Sequence, residues 1–304
     1  MTYASGGLIE ATDYNGFVSS VNTLWGTGAG DSGYGQTTTL STVTAASSTV
    51  TATQWSDLIA RINSLRNHQT AGGLGSGITQ PSTGNTITYL SSLSTQISTA
   101  TTNRLLNAGD GNAAAGGGGT TAVSNATGWT VTRSLEISYT FLSANQMRYF
   151  FNTGGFFDYN ATSSVLAGNT KSTDWDALCT AFGTTRIRAQ SSSKEGGSGS
   201  LNINNTNAGF YDLTTSNTAV MRQYSPTATG GYTSNYITSY ARLNAVPGSS
   251  TIIYLLIVFQ DDAADTLDDT VSGTATLNTA GYASGNSYIA NTWGTFGGNV
   301  TVAG

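Results

Sequence analysis

Apolar positions fall into two periodicities along this chain. In the first third they recur every three or four residues. Trp55, Leu58, Ile59, Ile62 and Leu65 lie at i, i+3, i+4, i+7 and i+10, and Tyr14, Phe17, Val18, Val21 and Leu24 repeat that spacing. Each stripe is one face of an amphipathic helix. The stretches Ala11–Leu24 and Ala52–Leu65 also match without a gap: Ala, Thr, Asn and Leu are identical, and Tyr14 faces Trp55. Thr12 and Thr53 sit where an N-cap belongs, with hydroxyls able to accept an orphan backbone N–H. Two such helices are expected to pack on each other, with Trp25 closing the end of their core. A third helix is predicted over Tyr89–Asn107, on Leu90, Leu93, Ile97, Leu105 and Leu106, although its Ser/Thr-rich middle is a weak helix former. The stretches Gly26–Gln36 and Gln69–Gly84 are expected as exposed loops.

After a glycine-rich stretch, Ala108–Gly119, with the composition of a flexible linker, the pattern changes to alternation. Strands are predicted over Trp129–Arg133, Leu135–Leu142, Arg148–Asn152, Arg186–Gln190, Gly209–Leu213, Thr218–Tyr224, Tyr236–Leu243, Thr251–Phe259, Val271–Leu277 and Gly298–Val302. Leu135–Phe141 alternates as a strand with one buried face does. Thr251–Phe259 is apolar almost throughout and reads as a central strand. One helix interrupts, with Thr173 capping Asp174–Phe182. The expected fold is mainly β. A small α-helical unit occupies residues 1–107, a linker follows at 108–119, and a β-sandwich of jelly-roll type fills 120–304.

Composition narrows the chemistry. Of 304 residues, 11 are Lys or Arg and 16 are Asp or Glu, and there is one histidine and one cysteine. Acid/base sites, metal cages and phosphate cradles need clusters of such side chains. The net charge of −5 argues against nucleic acid as a partner, since phosphate binding needs a positive patch. No apolar run approaches the ~20 residues of a membrane span. Met1–Ile9 lacks the basic start and apolar core of a secretion signal, so synthesis in the cytoplasm is expected. Cys179, alone, leaves no disulfide within the chain and reads as a small buried hydrophobe.

Several motifs are discounted on their context. Gly30-Asp31-Ser32-Gly33 matches the nucleophile segment of chymotrypsin-like proteases, but that chemistry needs a histidine base. The sole histidine, His68, ends the second helix, where a cation suits the helix C-terminus. Gly26–Asp31 follows a helix and not a strand, so it is no dinucleotide loop. The acidic run Asp261–Asp269 offers oxygens for calcium but reads more simply as a solvated loop after a buried strand. Tyr224, Tyr232, Tyr236 and Tyr240 suit either sugar stacking or interface packing. The glutamates, Glu10, Glu136 and Glu195, form no convincing pair for glycoside hydrolysis. No catalytic, cofactor-binding or metal-binding residue is assigned, and the chain is read as no enzyme, with no cofactor.

Several blocks carry a resemblance. Asn152–Phe157, Asn169–Trp175, Gly209–Thr215 and Val258–Asp262, with Gly7–Asn15, Gly33–Gln36 and Ile62–Gln69, are similar in sequence and order to virion structural proteins of tailed phages, notably those of marine and cyanobacterial hosts. The resemblance implies a particle component, expected in the tail, baseplate, collar or a fibre, and located in the virion. Its partners would be other copies of itself, other virion proteins and a host surface glycan or receptor. It transfers no catalytic residue. A capsid decoration protein is the alternative within the particle, and a carbohydrate-binding module or glycan depolymerase the alternative outside that class.

Overall fold

The computed structural model describes residues 10–44, 49–84, 87–109, 114–125, 128–164, 170–225, 232–263, 271 and 273–301. Among these lie five α-helices and eleven strands, which divide into a helical unit and a sheet unit.

The helical unit contains α1 (Ala11–Trp25), α2 (Ala52–Thr70) and α3 (Leu90–Thr102). All ten stripe residues are buried, joined by Trp25, Leu93 and Ile97. Trp55 meets Tyr14 and Phe17 edge-on, at 5.3 and 6.3 Å between ring centroids. The helix starts differ from expectation. α1 is capped by Glu10 and α2 by Thr51, so Thr12 and Thr53 lie inside the first turn. Thr51 Oγ1 accepts the Gln54 N–H while the Gln54 side chain accepts the Thr51 N–H, a reciprocal capping box. α3 ends before Asn107, and Leu106 faces out, 51% exposed.

The loop after α1 is not the exposed segment its glycines predict. Tyr34 is 1% exposed and Gln36 6%. Gly35 adopts φ +72°, and a Cβ there would stand 2.4 Å from the Tyr149 ring, so both conformation and space require glycine. Arg148 Nε donates to the Gly30 carbonyl at 2.8 Å and Nη2 to that of Ser32 at 2.9 Å. Asn152 Nδ2 donates to the Gly33 carbonyl and Thr292 Oγ1 to that of Tyr34. Residues 148–154 and 284–293 thus belong to the helical unit, which no single boundary at 107 captures. The strand expected at Arg148–Asn152 is the second half of α4 (Ala144–Asn152), whose first turn is held by Ser143 Oγ accepting the Gln146 N–H. Met147, Phe150 and Phe151, all buried, stand at i, i+3 and i+4. The contiguous aromatics hide that helical spacing.

The sheet unit holds two antiparallel sheets. The smaller runs in the order β1 (Ala114–Asn125), β10 (Thr274–Ala283), β3 (Phe156–Ser164), β4 (Thr184–Ile187), β5 (Ser192–Glu195). The larger runs β11 (Phe296–Thr301), β2 (Thr132–Phe141), β9 (Ile252–Gln260), β8 (Tyr236–Leu243), β7 (Thr218–Tyr224), β6 (Ile203–Asn204). The glycine run is strand, not linker. Residues 114–119 fall within β1, and a register irregularity between Ala115 and Thr120 takes up the surplus residues against β10. Residues 110–113 of the expected linker lie outside the described residues.

Inward side chains of the two sheets share one core. Tyr139 of β2 stacks on Phe157 of β3 at 4.6 Å, and its hydroxyl bonds Thr279 Oγ1 at 2.6 Å. Helix α5 (Thr170–Phe182) starts ahead of the Thr173 cap expected for it. The strand expected at Gly209–Leu213 is a single 3-10 turn, Phe210–Asp212, anchored by buried Phe210. Trp129 makes only an isolated bridge to Val271. The chain alternates between sheets at β1–β3 and again at β9–β11, whereas β6–β9 run as a meander within one sheet.

Candidate functional site: the outer face of the larger sheet

Residues at successive positions of a strand point to opposite faces. On β8 this places Tyr236, Thr238, Tyr240 and Arg242 on the outer face; on β9, Tyr254, Leu256 and Val258; on β2, Glu136 and Ser138; on β7, Arg222 and Tyr224. Cross-strand register brings complementary groups together. Arg242 lies opposite Tyr254, and its guanidinium carbon stands 3.6 Å from the ring centroid. The same group reaches across β9, where Nη2 donates to both carboxylate oxygens of Glu136 at 2.9 Å. Arg222 repeats the device, its guanidinium 4.4 Å from the Tyr236 ring and its Nε donating to Thr238 Oγ1 at 2.9 Å. Tyr224 packs on Tyr236 at 5.0 Å.

The side chains therefore lie flat on one another, which leaves the tyrosines half-buried on an outer surface. Burial, the largest cause, raises the Tyr236 hydroxyl above its ordinary value, so it stays a neutral donor. The face has hydrogen-bonding tips, ring edges and two immobilised cations. The Glu136 carboxylate is already occupied by Arg242. Tyr and Arg are enriched in protein–protein interfaces and among their dominant contacts. This arrangement suits adhesion to a flat partner better than bond-breaking chemistry.

The outer face of the smaller sheet differs. Asn278 Nδ2 bonds Asn160 and Thr162, and Ser124 bonds Thr276, forming a ladder of amides and hydroxyls. At its end Arg186 grips Asp158 through two bonds of 2.7 Å and lies over Phe156. Glu195 stands 3.7 Å from Arg186 and 3.8 Å from Arg188.

The discounted motifs occupy definite places. Glu10 caps α1, while Glu136 and Glu195 sit on outer faces of different sheets, each beside arginine. Asp31 pairs with Arg104, and the Ser32 N–H bonds the Ala29 carbonyl in a turn. His68 is not the helix-end cation expected of it. It is fully buried, its Nδ1 bonds Asn286 Oδ1 at 2.9 Å, and burial lowers its pKa, so the ring is neutral. Burial likewise pushes the Cys179 thiol up to about 12, which makes it inert. Tyr232 is buried in a 3-10 turn, apart from the other three tyrosines of its group. Asp261, expected in a solvated loop, is buried against Lys171, and residues 264–269 of the acidic run lie outside the described residues. Among the described residues no helix is long and apolar enough to cross a membrane.

Sequence reasoning missed Arg222, Arg242 and Tyr254. The two arginines were within reach, because each shares a strand face with tyrosines already singled out. Tyr254 was masked by the apolar run around it. Comparison with protein families, with curated proteins and with solved structures finds no match to this chain.

Proposed function

We propose that the protein is a non-enzymatic structural component of a tailed-phage particle, belonging to the tail, baseplate, collar or a fibre. It assembles there with copies of itself and with other virion proteins, and contributes to host attachment through a surface glycan or receptor. The observation that carries this reading is the outer face of the larger sheet: broad, rich in tyrosine and arginine, and with its Glu136 carboxylate neutralised from within. The ordered sequence blocks similar to phage virion proteins support it, as does a composition poor in catalytic side chains. We read the two sheets as a β-sandwich that follows a jelly roll where the chain alternates between sheets.

Gold-labelled antibody microscopy on particles from a lysate tests the proposal. Label on the tail, neck or fibres is the expected result. Label over the head moves the protein to capsid decoration, and particles without label overturn the virion reading. The half-buried tyrosines also favour a second reading, a carbohydrate-binding module or depolymerase, since ring faces stack on sugars. Retention of the pure protein on host polysaccharide, or loss of that polysaccharide, would support it.

A further inference from the structure

Lys171, in the first turn of α5, and Asp261, just past β9, form an ion pair with Nζ 2.5 Å from Oδ2. Their side chains are 5% and 2% exposed, whereas Arg186 and Asp158 on an outer face keep 19% and 16%. Lys171 precedes Trp175 by one helical turn, so the two share a face of α5. Asp261 follows Phe259 by two residues in extended chain, so these share a side as well. Trp129, Trp175 and Phe259 contact one another there, at 5.5 to 5.9 Å between centroids. The Asp261 backbone is fixed by its N–H to the Val131 carbonyl at 2.7 Å. Asp174, on the same helix one turn on, is also buried.

A sealed ion pair is a costly way to hold a helix to a sheet, because two charges lose their water. The same placement is what amide formation requires: an amine held against a carboxyl, and surroundings that admit no water to reverse the step. We infer that Lys171 and Asp261 join in an intramolecular amide cross-link, formed by the folded protein itself. A proton passes from Nζ to the Asp261 carboxylate, leaving a neutral amine and a carboxylic acid. The Nζ lone pair attacks Cγ, a second proton moves from nitrogen to the departing oxygen, and the Cγ–O bond breaks. The ammonium has then given two protons and the carboxylate one oxygen, which leave as water. No oxidant, metal or co-substrate enters the balance. The product ties α5 to the end of β9 and closes a loop of the chain from 171 to 261.

Intact-mass spectrometry of the full chain, folded, aged and then denatured, decides the matter. The expected mass falls short of the sequence mass by one water, and digestion yields a branched peptide joining Lys171 to Asp261. Lys171→Arg and Asp261→Ala should each show the full sequence mass. Asp261→Asn should lose one ammonia in place of water. A wild-type protein at full sequence mass, or a water loss mapped to any other pair, overturns the inference without bearing on the particle assignment.

Discussion

In the sheet unit, main-chain donors and acceptors are satisfied by one another along two ladders, and side chains are left to fill the core or cover the outer faces. In the helical unit, the buried turn after α1 is only partly held by main chain, the Tyr34, Gly35 and Gln36 N–H groups donating to the Leu24, Gly26 and Trp25 carbonyls. Its carbonyls at Gly30, Ser32, Gly33 and Tyr34 take their hydrogen bonds from Arg148, Asn152 and Thr292, residues far along the chain. A ladder spreads its satisfaction over many interchangeable peptide groups. The turn concentrates it on a few side chains, so polar residues there carry weight that polar residues on the sheet faces do not.

The largest effect expected is in the sheet core, where apolar contact dominates. Phe157→Ala, fully buried against Tyr139, should cost about 3–5 kcal/mol in urea unfolding. The contrast between units is sharpest for one substitution made twice. Arg148→Met should cost about 2–3 kcal/mol, since the chain keeps its length but buried carbonyls lose charged donors. Arg242→Met, on the outer face, should cost about 1 kcal/mol or less. Equal losses would break the comparison.

Acid gives an intermediate test. Because burial depresses the His68 pKa in the folded state, the unfolded chain binds the proton first. Stability is therefore full above the ordinary histidine value of about 6.5 and declines as pH falls below it. His68→Gln should flatten that decline in thermal melts between neutral pH and pH 5. A comparably small effect is local. Thr51→Ala removes one half of the α2 capping box and should cost about 1 kcal/mol, seen as faster hydrogen exchange in the first turn of α2.

What the sequence made legible follows from the range of the forces involved. The stripes of α1 and α2 were readable because helix periodicity is local. Thr251–Phe259 was readable as a central strand for the same reason. Arg148–Asn152 was misread because Tyr149, Phe150 and Phe151 are contiguous, and a short aromatic run fits either period. The glycines of 114–119 carry no side-chain signal at all, so only their pairing with β10 reveals a strand. β3 was missed because its outer residues, Asn160, Thr162 and Ser164, look like turn composition until the sheet is assembled. The candidate face was half visible: alternation grouped Tyr236 with Tyr240, but the pairing of Arg242 with Glu136 spans 106 residues and leaves no trace in either neighbourhood.

The helical unit is drawn from three separate stretches of sequence, and this has a consequence for how the protein is made. Its helices emerge from the ribosome first, yet the side chain of Thr292 and the carbonyl of Ala290, which bonds Gln36, emerge after β1 to β10. The region synthesised earliest is therefore among the last to be finished. Until then the Tyr34 carbonyl lacks its Thr292 donor and the Gln36 side chain its Ala290 acceptor, and a nascent chain stalled before residue 284 would display a connecting turn held by Arg148 and Asn152 but not yet closed.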